Sequence, residues 1–172
     1  MQLRHLATGA AVLALTASLS SCGFDYATER DYTPGSGANN REGTVDVLSA
    51  VVVSAEEGSG TFIASLSNND ASDEQSFTGV SGGQDATVTA ADFDPVAIAP
   101  GGLVNLADPA ADVVLQGDFT AGDFVPLVID FGNGDRVSMD VPVVPDDFGY
   151  WAGMDASGSV ATTDTDTEAD AS

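Results

Sequence analysis

The side chains that most often perform catalysis or bind transition metals are scarce in this chain. Its 172 residues include one histidine, His5, one cysteine, Cys22, and no lysine. The three methionines are Met1, Met139 and Met154. Nucleophile–base arrangements of the Ser-His, Ser-Lys and Cys-His kinds would therefore need residues from the first 22 positions.

Cys22 directly follows an apolar segment, residues 6–19, which has a short basic start. Once its polar residues are discounted, this segment is about half the length that spans a bilayer, so it is typical of a cleaved export signal. Its last residues, Leu19-Ser20-Ser21-Cys22, resemble the bacterial lipobox, in which the thiol receives a diacylglycerol and a peptidase cuts before the Cys. We therefore expect a signal peptide at 1–21 and a lipidated Cys22. The alternative is an ordinary secretory signal with a free cysteine.

Lipidation would place the mature protein at the extracytoplasmic face of the cell membrane, because two or three acyl chains form a stable anchor. Cleavage would remove His5, and acylation would occupy Cys22. The G-x-S-x-G pattern of residues 79–83, which in hydrolases presents a nucleophilic serine, would then have no base. We interpret it as a Gly/Ser turn and predict a non-enzymatic protein without a cofactor.

The chain is strongly acidic, with 4 basic and 27 acidic residues. Removal of residues 1–21 takes away only Arg4, so the mature charge is 3 − 27 = −24. Such a field repels nucleic acid and anionic lipid headgroups and favours cations or a basic envelope protein as partners. Pairs of acids with the spacing of glycosidase candidates are expected by chance in so acidic a chain: Asp92 with Asp94, and Asp146 with Asp147.

Composition divides the mature chain into three parts. Residues 22–42 have almost no aliphatic side chains and predict a flexible tether from the lipid to a domain. Residues 147–172 predict an acidic, mostly disordered tail. Between them, residues 43–146 have the size of one small domain.

Residues 43–146 show no helical period, whereas short runs of Val, Ile, Phe and Thr recur between Gly, Pro, Asn and Asp. This pattern predicts an all-β sandwich. The predicted strands are 44–54, 61–67, 75–80, 86–90, 96–99, 103–106, 112–117, 124–131 and 135–144.

The last two strands predict a hairpin whose loop length is set by side-chain alternation. A three-residue loop, Gly132-Asn133-Gly134, pairs apolar residues with each other on one face, whereas a two-residue loop mixes the faces. It places Gly134 at positive φ, Asp130 opposite Arg136, and Met139 in the core opposite Leu127. Asp130, Asn133 and Asp135 also offer oxygen ligands for calcium, although turn geometry alone explains them.

Three blocks in order resemble the periplasmic copper chaperones named PCu(A)C and the related actinobacterial lipoproteins. The family's A-x-Y-x-x-I-x-N strand corresponds to TFIASLSN at 61–68, followed by acidic residues and a second strand at 73–82. Its I-x-I-x-P-G-G-x-V-x-L block corresponds to 96–106, and its closing segments correspond to 122–131 and 137–143. The resemblance implies a single cupredoxin-like or immunoglobulin-like Greek-key β-sandwich.

The family binds copper(I) through two His and two Met, but this chain lacks them at the matching positions. The family's H-x-M stretch falls on Asp112 and Val114, and its earlier Met falls within 88–90. We therefore predict no metal site and a non-catalytic binding or interaction module. The alternative is a carrier of copper or calcium that uses other groups, such as the Met139 thioether or clustered carboxylates.

Overall fold

The computed structural model describes residues 37–84, 86–147 and 149–160, and these residues are almost entirely β-structure. Each of the nine predicted strands is present, with ends that differ by at most two residues. One further strand, β1, precedes them. The strands are β1 (Ala38–Asn40), β2 (Val45–Ser54), β3 (Ser59–Asn68), β4 (Gln75–Gly82), β5 (Val88–Ala90), β6 (Val96–Ile98), β7 (Leu103–Asn105), β8 (Val114–Gly117), β9 (Phe124–Phe131) and β10 (Arg136–Pro145).

Two sheets are joined through β10. In the first, β3 pairs with β2 on one side and with β7 and β8 on the other, while β5 pairs with β8. In the second, β9 pairs with β10 and β4, and β4 pairs with β6. The final residues of β10 leave the second sheet and pair in parallel with β2, so one strand links the two layers.

The core lies between the sheets because alternate side chains of each strand point inward. Phe62 of the first sheet and Phe77 of the second meet there with ring centroids 6.2 Å apart. Leu127 and Ile129 of β9 are fully buried beside them. Burial alternates residue by residue along β9, which is the pattern that indicated a sandwich.

The β9–β10 hairpin has the predicted register. Asp130 pairs with Arg136 and Leu127 with Met139. The N–H of Gly134 donates to the carbonyl of Phe131 at 3.0 Å, and Gly134 has φ of +89°. The three-residue loop is therefore confirmed.

The sheet begins earlier than the predicted domain boundary at residue 43. Ala38 pairs with Ala50, and Asn40 with Val47, so β1 lies in the segment predicted to be a tether. The side-chain oxygen of Asn39 also accepts a hydrogen bond from the N–H of Ser49 at 2.9 Å. Backbone pairing orders this polar stretch. Its sequence has no alternation of apolar and polar residues, so the strand could not be predicted from the pattern.

Residues beyond the predicted boundary at 146 pack on the outer face of the first sheet. A 3₁₀ helix (Gly149–Trp151) and one helical turn, α1 (Ser157–Val160), follow β10. Trp151 and Met154 contact a second apolar cluster, formed by the buried residues Val51, Val53 and Ile63. Part of the segment predicted to be tail therefore covers a sheet face.

Several predictions concern residues outside the described ranges. These are the signal peptide at 1–21, lipidation of Cys22, most of the tether and the tail beyond residue 160. Within the ranges that are described, no helix is both long and apolar enough to cross a membrane.

Candidate functional site

A cleft of about 570 Å³ opens between the β5–β6 and β7–β8 connections. Its apolar lining comes from both connections and from β6 and β7. Its rim carries carboxylates. The residues that matter here are Phe93, Val96, Leu106, Asp92, Asp94 and Asp112.

Backbone hydrogen bonds hold the two sides of the cleft. On one side, the N–H of Ala91 donates to the carbonyl of Val114 at 2.8 Å, which extends the pairing of β5 with β8. On the other, the N–H of Leu106 donates to Ala64 of β3 at 2.9 Å, and the N–H of Ala111 donates to Leu106 at 2.9 Å. The walls are therefore fixed to the first sheet.

The inner wall of the cleft is apolar and partly aromatic. The Phe93 ring stacks on the fully buried Phe77, with centroids 5.0 Å apart and planes at 21°. Phe93 itself remains half-buried and lines the cleft, and Leu106 is buried behind it. The contact with Phe77 anchors the ring to the second sheet, so the wall is supported from the core.

The rim of the cleft is negatively charged. Asp92, Asp94 and Asp112 are exposed, and no other described residue forms a hydrogen bond or an ion pair with their carboxylates. None of the residues lining the cleft is basic. Among the residues that the structure describes, no basic side chain therefore compensates the negative potential of the rim.

The cleft includes Asp112, one of the positions that the sequence resemblance aligns with the H-x-M stretch of the PCu(A)C family. Asp112 lies on its rim with φ of +47°, a conformation that Asp adopts more readily than most residues. Val114, the second matched position, is 1% exposed and lies beside the matched 88–90 segment through the β5–β8 pairing. The fold thus brings the matched positions together.

Other carboxylates of the described chain are separate or otherwise occupied. The Arg136 Nε donates to Asp130 Oδ1 at 2.6 Å, and the Asn133 amide donates to Asp135 at 2.8 Å. Asp146 accepts from the N–H groups of Met154 and Asp155. Within the described residues, no three His, Cys, Asp or Glu side chains are grouped so that they could hold a metal ion.

Ser81 of the G-x-S-x-G pattern lies inside β4 and not in a turn, so that prediction is wrong. It is exposed and pairs with Val128 of β9. The strand continues to Gly82, where a Cβ would overlap the carbonyl of Ala86. A serine within a strand lacks the sharp strand-to-helix elbow that presents a hydrolase nucleophile.

Met139 packs against the main core opposite Leu127, as predicted, and its side chain is half-buried. It borders a small cavity of about 140 Å³ with Gly83, Gln84 and Leu127. Met139 does not line the cleft that contains Asp112.

Sequence analysis identified the three carboxylates but not the cleft or the role of Phe93. The only local signal is an aromatic residue enclosed by polar ones, in the run Asp92-Phe93-Asp94-Pro95. Such a residue in a predicted loop must either be exposed or pack on a distant element. Its packing on Phe77, which belongs to another strand, could not be derived from the local pattern.

Solved structures of PCuAC domains have the same fold. The copper-bound PCuAC domain from PmoF2 superposes with a TM-score of 0.50 and 16% identity, over 63% of this chain and 98% of that chain. The apo PmoF2 PCuAC domain gives 0.50 and 16%, over 64% and 98%. These similarities confirm a PCu(A)C-like domain with the predicted cupredoxin-like β-sandwich. No protein-family model matches the sequence, and no curated protein matches it significantly.

Proposed function

We propose that this protein is a lipid-anchored, non-catalytic binding module of the cell envelope, built on a copper-chaperone-like domain that has lost its copper ligands. The proposal rests on the residue types at the positions that the sequence resemblance aligns with the copper ligands of the family. Asp112 and Val114 stand where the family has its H-x-M stretch, and Val114 is buried within the sheet. A carboxylate and an aliphatic side chain are poor ligands for copper(I), which prefers thioether, thiolate and imidazole.

Two observations support a non-catalytic role. The single histidine lies in the segment that the lipobox-like sequence would remove, and the chain has no lysine to serve as an alternative base. Ser81 lies in a strand and pairs with Val128. The described residues therefore offer no nucleophile–base pair of the known kinds.

Attachment through Cys22 is proposed from the sequence, and the charge supports it. A mature charge of −24 disfavours adsorption on anionic lipid. Acyl chains would supply the membrane affinity that charge opposes. The domain would then present its cleft from the extracytoplasmic face of the membrane.

Copper(I) titration of the mature, lipidated chain, in which cleavage has removed His5 and acylation occupies Cys22, tests the loss of copper binding under reducing conditions against a competing chelator. We expect affinity weaker than micromolar. Met139→Leu is the matched variant, because it removes a thioether that borders a cavity while keeping an apolar side chain of similar volume. Tighter binding that disappears in Met139→Leu would establish the metal-carrier alternative in place of the proposal.

The binding role is tested by capture of envelope proteins on the lipidated full-length chain in vesicles. We expect a saturable partner that is displaced by excess free chain. A capture that is not saturable, or that also occurs with vesicles lacking the protein, would refute the binding role.

A further inference from the structure

We propose that the cleft between the β5–β6 and β7–β8 connections binds an arginine side chain presented by an extended segment of a partner protein. The inference rests on the proposed binding role and names the chemistry of its partner. Three features determine the occupant: the size of the cleft, its aromatic wall and its uncompensated carboxylates.

The volume of the cleft suits one side chain of a partner protein together with the residues on either side of it. At about 570 Å³ the cleft lies within the usual range of ligand sites, roughly 300–1,000 Å³. It is an open cleft, so a chain can lie across it and insert one side chain. Val96, Val104 and Pro109 provide apolar surface beside the insertion point.

The charge selects a cation. Asp92, Asp94 and Asp112 have no protein partner among the described residues, and the lining includes no basic side chain. The remainder of the chain is also acidic, which raises the local concentration of cations and accelerates their association. An anionic or neutral peptide would gain nothing from this rim.

The aromatic wall selects a guanidinium over an ammonium. Phe93 is held by Phe77 at 5.0 Å and exposes part of its ring to the cleft. A planar guanidinium can stack on an aromatic ring and still donate two parallel hydrogen bonds to a carboxylate. Lysine offers a compact, strongly hydrated charge that does not stack in this way.

The test measures binding of short peptides to the full-length chain at low salt by calorimetry. The probe is acetylated Gly-Val-Arg-Val-Gly amide, and the matched control replaces arginine by citrulline, which is nearly isosteric and neutral. We expect citrulline to lower the affinity at least tenfold, lysine to lower it several-fold, and added salt to weaken the arginine peptide. Equal affinity of the arginine and citrulline peptides would overturn the proposal.

Variants of the protein locate the site. Asp92→Asn, Asp94→Asn, Asp112→Asn and Phe93→Leu should each lower the affinity about two- to fivefold, and the three Asp changes together more than tenfold. Asp140→Asn is the control, because Asp140 is exposed and lies outside the cleft lining. If Phe93→Leu unfolds at the same temperature as the wild type, its lower affinity comes from the loss of the ring in the cleft and not from a loss of folding. An equal loss in Asp140→Asn, or wild-type affinity of the triple variant, would contradict the assignment.

Three further outcomes distinguish a failure of this inference from a failure of the proposed function. If acetyl-arginine amide alone binds as tightly as the peptide, the cleft is a site for small cations and the peptide partner is wrong. If the peptides do not bind but the anchored chain captures a saturable partner, this inference fails and the binding role stands. If neither binds and copper(I) binds tightly, the proposed function itself fails.

Discussion

Asn68 connects three segments at the end of β3. Its side-chain amide donates to the carbonyls of Asp73, Ile98 and Ala99 at 2.8, 3.2 and 3.2 Å, and its side-chain oxygen accepts from the N–H of Asp70 at 2.9 Å. Asn68 is only 2% exposed. Buried polar groups need such partners, so this asparagine, part of the family-like pattern, has a structural role.

Asp70 provides a pH-dependent contact in the same loop. Hydrogen bonds from the N–H groups of Ser72 and then Asp73 lower the pKa of its carboxyl. Because the folded pKa lies below the unfolded one, the stabilisation is present above the unfolded pKa of about 3.9 and is lost as pH falls through the folded pKa.

We expect Asp70→Asn to lower the free energy of unfolding at neutral pH, with the difference from wild type narrowing in acid. Urea unfolding at several pH values checks this, with Glu74→Gln as a charge-matched control. A constant difference across the acid range would show that the charge of Asp70 does not contribute.

Gly134 should be the position of the β9–β10 loop most sensitive to substitution. A Cβ there would meet no atom within 4 Å, so the cost of Gly134→Val comes from φ of +89° and not from a clash. We expect a loss of about 1–3 kcal/mol in the free energy of unfolding. Asn133→Ala should cost less, because a type I turn tolerates most residues there. Equal losses in denaturant unfolding would argue against this account.

At the scale of elements, β10 determines how the sandwich closes. Residues 136–142 pair antiparallel with β9, and residues 143–145 pair in parallel with β2. The hairpin with β9 is local in sequence. The pairing with β2 joins segments about ninety residues apart along the chain, and no local pattern specifies it.

The segment after β10 is held by both polar and apolar contacts. Asp155 accepts from the N–H of Ala55 at 2.9 Å and from the hydroxyl of Thr61 at 3.0 Å. Trp151 and Met154 pack on the apolar cluster of Val51, Val53 and Ile63. This cover explains why both faces of β2 are buried near its end.

Trp151→Ala should therefore destabilise the domain by about 1–2 kcal/mol, since the side chain is half-buried. Tyr150→Ala is the matched control: it removes a neighbouring aromatic ring that is 74% exposed. Thermal or denaturant unfolding measures both. A larger loss for Tyr150→Ala than for Trp151→Ala would show that this segment does not contribute through Trp151.

At the scale of the whole molecule, acidity and the proposed anchor act in opposite directions. The formal net charge of −23 repels anionic surfaces. If Cys22 is acylated, Cys22→Ser should abolish lipidation and release the protein from the membrane or leave its signal uncleaved. Labelled palmitate and membrane fractionation measure this, with Ser21→Ala as the control. Continued labelling of Cys22→Ser would contradict acylation at this residue.

Local alternation made much of the sandwich predictable. The register of the β9–β10 hairpin followed from the parity of its apolar residues, because a shift by one residue would expose every inward side chain. β1 was missed because Ala38 to Asn40 has no apolar period and is ordered by backbone pairing. The packing of Trp151 was missed because residues 148–154, which contain no acidic side chain, were assigned to the acidic tail that follows them.

The sequence by itself determined the strand pattern and the acidic character. These properties are local or compositional, so they can be read without knowing which segments meet. Only the tertiary structure decided that Phe93 packs on Phe77, that Asp92, Asp94 and Asp112 share one cleft, and that β10 joins two sheets. Such contacts depend on how distant segments are brought together by burial of the common core, and short-range patterns do not encode that arrangement.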